Sequence, residues 1–270
     1  MATLRIAGQM LRERRRSLLG WIVGVGLLMV LMAAVYPSVR DSGDVFEEYM
    51  EQLPESFAEA FGLAGASITS PEGYLVSQLY SNIYVIILLV LGFGMAAWAI
   101  AGSEAEGTLE MALANPVRRV SVALGRVLGM AVALIAVNAL GHVVLAAYAP
   151  VVGLDEGLPT WAFAAAFAVS MAFVAVHVAL TFAVGAATGR KGWAIGAGAG
   201  LALVGFLVNA MAGVAEVFEA ARDFSPWYWM LRENLLTTAP GLLSLGLPVA
   251  ISVALVAIGT WMFNRRDLAG

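Results

Sequence analysis

Inside the apolar runs of this chain, the side chains able to exchange a proton near neutral pH are two histidines, His142 and His177. Around them stand Asn138, Asn209, Ser170 and Thr181, and no Asp, Glu, Lys or Arg lies within a run away from its ends. A proton- or ion-coupled carrier needs a titratable group near the bilayer midplane, so one of these histidines would have to serve. The plainer role for a histidine in such a run is a hydrogen bond across helices. Asn138 and His142 are four residues apart and share one helix face. That face lines a substrate path or a packing seam, and packing is the preferred reading. Enzyme patterns are missing: there is no His-Glu-x-x-His pair and no Gly-x-Ser-x-Gly elbow. The stretch GAATGRK at 185–191 has the wrong spacing for a phosphate loop and no Ser or Thr after its lysine. Without cysteine, neither a disulfide framework nor a Cys metal site can form. The chain reads as a non-enzyme with no metal site and no cofactor of its own.

The elements that hold these residues follow from composition. The chain is 61% hydrophobic and 13% charged, with mean hydropathy +0.85, against about 45–50% apolar and about 25% charged in a soluble domain. A core of 270 residues cannot hide that much apolar surface from water, so the bilayer is the expected solvent. A helix needs roughly 20 apolar residues to cross the hydrocarbon, and six runs qualify: 18–36, 79–101, 127–148, 161–187, 193–214 and 242–263. Backbone amides in lipid must bond internally, so the spans are helices, and the fold class is an all-α polytopic membrane domain over 1–270. Twelve of the 15 lysines and arginines fall on the side that carries both termini, the loop 102–126 and the turn at 188–192. Fourteen of the 19 acids fall on the other. The positive-inside rule therefore puts both termini and the 102–126 loop in the cytoplasm of an inner-membrane protein.

Outside the spans, three pieces are amphipathic. The N-terminal stretch 1–17 reads as a basic elbow helix along the inner leaflet, with Arg12, Arg14, Arg15 and Arg16 set to meet anionic lipid phosphates. Within the external loop 37–78, residues 44–63 repeat apolar positions at three- and four-residue spacing, as an interfacial helix does. The third piece, 217–236, carries Trp227, Tyr228 and Trp229, whose rings suit the headgroup layer. Small residues recur every fourth position at Gly20 and Gly24 and at Gly192, Gly196 and Gly200, a spacing that lets helix backbones approach, within the chain or between two copies.

The segment GSEAEGTLEMALANPVRRVSVALGR at 102–126 is the exception in so apolar a chain. Thr108 or Ser103 can cap a short helix, early acids favour its positive end, and Pro116 stops it. Two readings stand from spacing: a short helix with a knob of Leu109, Met111 and Leu113 that enters a groove on a soluble partner, or a return turn with a solvated charge run.

The stretch AGSEAEGTLEMALANPVRRVSVALGRVLG resembles the cytoplasmic segment of type-2 ABC exporter permeases. Glu104, Glu106, Gly107, Thr108, Leu109, Glu110, Leu113, Pro116, Val117 and Arg119 fit that family's pattern, with Asn115 in place of a commoner Ser or Thr. LPESFAEAFG, SPWYW and the ending FNRRDL are similar to the same family. The resemblance implies six spans, a coupling helix within 103–116, a second permease as homodimer or heterodimer, and two copies of a separate ABC ATPase that bind ATP and Mg. It also implies that Leu109, Glu106 and Glu110 contact the ATPase while Gly107 and Thr108 shape the helix start. An amphipathic or lipid-like cargo is expected from the lack of fixed charge in the spans, and nucleic acid is not an expected partner. The rival readings are an ion-coupled secondary transporter and a non-transporting membrane scaffold.

Overall fold

The computed structural model describes residues 2–42, 67–114, 116–212 and 216–267. The amphipathic helix expected over 44–63 and the residue Asn115 lie outside them. Among the described residues there is no strand. A short helix α1 (Ala2–Glu13) breaks at Arg14, where φ is −97° and ψ 6°, and resumes as α2 (Arg15–Arg40). Next come α3 (Pro71–Ala105), the six-residue α4 (Thr108–Leu113) and α5 (Arg119–Val152). They are followed by α6 (Ala162–Thr188), α7 (Lys191–Met211), α8 (Glu216–Arg222), α9 (Pro226–Leu231) and α10 (Leu242–Arg265). Six of these, α2, α3, α5, α6, α7 and α10, are long and apolar enough to cross a membrane.

Helices α2, α3 and α5 overrun the hydropathy windows at both ends. Helix α2 carries Pro37 inside its last turn. Helix α3 starts at Pro71, where Ser70 Oγ accepts from the Gly73 amide at 3.1 Å. Helix α5 starts at Arg119, so Arg126, assigned above to the loop, sits two turns inside a helix. Hydropathy falls where polar residues begin, but a helix continues while its backbone bonds are met, and α3 does so through π-helical turns at Leu75–Ile83 and Trp98–Gly102.

Helix α6 lies at the centre, against α10, α7 and α3, and α5 carries α1 and α2 on its outer side. In a bilayer there is little hydrophobic drive between helices, so close approach through small residues decides packing. A Cβ built on Gly259 of α10 would lie 2.7 Å from Ala183 Cα of α6. On α5, a Cβ at Gly125 would lie 2.8 Å from both Ile6 Cβ and Thr3 O, and one at Gly129 would lie 3.0 Å from Met10 Sδ. Helix α1 thus seats its buried Ala7 and Met10 on the Gly125–Gly129 groove. By contrast Gly20, Gly24, Gly192, Gly196 and Gly200 meet nothing within 4 Å of an added Cβ.

Candidate functional site

The end of the bundle that carries the termini is built around α4. The chain leaves α3 at Ala105 and turns at Gly107, whose φ of 70° is a left-handed conformation that costs glycine little. Gly107 therefore occupies the N-cap position, and neither expected cap is made. Thr108 Oγ1 instead donates to Ser103 O at 3.1 Å, and Ser103 Oγ donates to Ile100 O at 2.9 Å. The Thr108 hydroxyl thus stitches the turn to the last coil of α3, so α4 is held close to α3.

The acids and apolar residues of the motif divide by direction. Leu109 is fully buried, so the apolar knob read from the sequence loses its first member to the core. Met111 is 66% exposed and Glu110 is also exposed, while Leu113 is half-buried. Pro116 is exposed. Glu106 accepts from Trp98 Nε1 at 2.9 Å. Glu104 pairs with Arg266, just past α10, and these side chains are only 14% and 18% exposed. Arg119 Nη1 donates to Arg266 O at 2.6 Å. Glu104, Arg119 and Arg266 so tie the α3–α4 turn, the start of α5 and the end of α10 into one clamp. Glu104 and Arg119 serve this internal clamp, not an open face.

Beside the clamp, two guanidinium groups stack on one indole. Arg14 lies 4.3 Å from the Trp98 ring centre and Arg126 lies 5.2 Å from it. Burial lowers the Arg14 pKa, and Glu106 and Glu13 push it the other way. Arg14 therefore faces Trp98 and not lipid phosphate, as the basic elbow reading had it; Arg12, Arg15 and Arg16 remain exposed. Arg126 is 6% exposed and donates through Nη1 to Ala99 O and Ser103 Oγ. Sequence reasoning missed Arg126, although its flanking Gly125 and Gly129 repeat the four-residue spacing noted elsewhere.

The polar residues of the spans form a separate cluster. His142 Nδ1 lies 2.9 Å from Asn138 O, which can only accept, so Nδ1 carries the proton. Nε2 is then free to accept from Tyr80 OH at 3.1 Å. Tyr84 OH donates to Asn138 Oδ1 at 2.5 Å, and Asn138 Nδ2 donates to Phe167 O at 3.2 Å. The His142 ring nitrogens and the Tyr80 and Tyr84 hydroxyls are all paired internally, as in a packing seam between α3, α5 and α6. His177 donates from Nδ1 to Phe173 O at 2.8 Å, and its Nε2 is buried with no partner among the described residues. Asn209 is likewise buried on α7 with Oδ1 unpartnered among the described residues. The structure does not bring His177 or Asn209 to the His142 cluster.

At the opposite end the aromatic trio departs from the headgroup reading. Trp227 is 3% exposed, meets Phe173 and Phe206 edge to face, and donates to Ala202 O at 2.8 Å. Trp229 is buried and donates to Asp223 O at 2.7 Å. Tyr228 alone is half-exposed, between Arg222 and Arg232. A short helix, α9, folds these rings back against α6 and α7, and a window of sequence cannot distinguish that from a belt.

No curated protein matches the chain. A family model described as ABC-2 family transporter protein matches residues 4–268, nearly the whole length, which takes in α1, the α4 turn, all six long helices and the Glu104–Arg266 clamp. The chain belongs to the ABC-2 family of transporter proteins, as a multi-pass membrane subunit of the permease kind.

Proposed function

We propose that this chain is the membrane half of an ATP-driven exporter, and that α4 is its docking helix for a separate ATPase. The observation that carries the reading is the mounting of α4. Its outward residues, Glu110 and Met111, are exposed, while its inward Leu109 and the clamp of Glu104, Arg119 and Arg266 tie it to α3, α5 and α10. A push on the exposed face is carried to those three helices through the buried Leu109 and the part-buried clamp. ATP and Mg belong to the ATPase, two copies serve two permeases, and the α4 end faces the cytoplasm. A groove of about 270 Å³ between α5, α6 and α10, lined by Met130, Met171, Val178 and Val253, supports an amphipathic or lipid-like cargo because no charged side chain lines it. His142, with both ring nitrogens hydrogen-bonded between helices, supports a packing role for that residue. The second permease is assigned to the open outer face of α7.

The test is Glu110→Lys combined with Met111→Arg. Both side chains are on the surface, so the variant should insert and melt like the parent while ATPase co-purification and ATP-dependent transport in vesicles fall by about tenfold or more, equal to about 1.4 kcal/mol of docking energy. Unchanged association and transport would refute the docking assignment. Leu109→Arg is no probe of docking, because it would bury a charge.

A further inference from the structure

Between α1, α4 and the start of α5 lies a cavity of about 660 Å³. Its walls include Gln9 and Glu13 of α1, Trp98 of α3, Met111 and Ala112 of α4, and Arg126 of α5. The geometry points to this cavity as a binding site for one zwitterionic phospholipid headgroup, with the phosphodiester on Arg126 and a primary ammonium on Glu13.

Arg126 is buried, yet among the described residues it has no carboxylate within ion-pair distance. Its partners are a carbonyl, a hydroxyl and the Trp98 ring, all neutral. Only Nη1 is engaged; Nη2 and Nε take no acceptor among the described residues. A buried cation without a counter-charge is costly, and a guanidinium with donors to spare fits a phosphate through two parallel bonds. Arg14, stacked on the same Trp98 ring, adds positive potential to this wall.

Glu13 makes the site zwitterionic. It lines the cavity and already accepts from Gln9 Nε2 at 2.9 Å, which orients its carboxylate. A simple anion would be repelled there. A headgroup with its phosphate inward and its amine toward α1 satisfies both charges. Free phosphate offers the first contact but not the second. Apart from Thr108 the remaining walls, Met10 and Val122 among them, are apolar and suit the glycerol and first acyl carbons. The position fits as well: α1 is the amphipathic helix at the bundle end, where headgroups lie.

The experiment is native mass spectrometry of the purified full-length permease without ATPase, delipidated and then titrated with phosphatidylethanolamine, phosphatidylcholine, phosphatidylglycerol or inorganic phosphate. One phosphatidylethanolamine per chain should be retained, with phosphatidylcholine and phosphatidylglycerol weaker by about tenfold, or about 1.4 kcal/mol. Glu13→Gln should bring phosphatidylethanolamine down to the phosphatidylglycerol level. Arg126→Gln should weaken both. Because Arg126 also bonds to α3 and its loss could unfold that corner, Ala112→Phe provides a second variant, which narrows the cavity with every charge intact and should lower retention. Equal retention in Glu13→Gln and Ala112→Phe as in the parent overturns the site. So does displacement of the lipid by inorganic phosphate, which would make it a free-anion site. Each readout is on the permease itself or on the cavity, so the docking role of α4 can fail while this site stands, and the reverse.

Discussion

The groove on α5 that receives α1 and the outer face of α7 share one sequence device, glycines four residues apart, and use it oppositely. Gly125 and Gly129 are filled to contact by Ile6, Thr3 and Met10 of the same chain. Gly192, Gly196 and Gly200 meet nothing, and the surface around them, Trp193, Leu203 and Leu207, is exposed. Spacing alone therefore records that a helix backbone can be approached, and only the fold shows whether the approach is already made. One groove is used up in building the subunit, and the other is left for lipid or a second permease.

The sharpest way to break this contrast is Gly125→Leu. Its side chain would strike the Thr3 carbonyl and Ile6 Cβ, and over-packing of this kind costs about 1–3 kcal/mol, more when backbone must move. A lower melting temperature in detergent and reduced accumulation in the membrane are expected; an unaltered melt would show that α1 is not seated there. A pair on α7 sharpens the contrast within a single helix. Gly198 faces inward onto Phe93 and Thr181, and Gly196 faces outward. Gly198→Leu should lower the melt, by about 1–3 kcal/mol. Gly196→Leu should leave it alone but abolish permease–permease cross-linking, and persistent cross-linking would remove α7 from the proposed seam. The smallest effect belongs to Gly24→Ala on α2, where space is open: no loss of stability, and a gain of at most about 1 kcal/mol from restricting the backbone, read from the same melt.

The six spans were legible because an apolar run long enough for a bilayer has almost no place to go but across one. The motif in the α3–α5 connection was legible too, since Gly107, Pro116 and the alternating acids demand a turn and a short helix. What stayed hidden depended on distant partners. Glu104 looks like a solvated acid until Arg266, 162 residues later, is seen beside it. Leu109 and Met111 look equivalent by type, but two residues apart they face opposite sides of α4, and only the fold shows which side is inward. Trp227 and Trp229 read as headgroup residues because composition cannot show a chain folding back. Arg126 reads as a loop residue because charge usually ends a span, whereas a carbonyl, a hydroxyl and an indole line its place inside the helix bundle.

The clamp has a consequence for biosynthesis. Its acidic member is made before the third crossing and its basic member after the sixth, so a ribosome must complete almost the entire polypeptide before the two can meet. Until then the end of α3 that leads into α4 lacks its tie to α10. A nascent or prematurely stopped subunit would lack it too, and on the docking role proposed above the ATPase would engage best with chains whose synthesis had run through to Arg266.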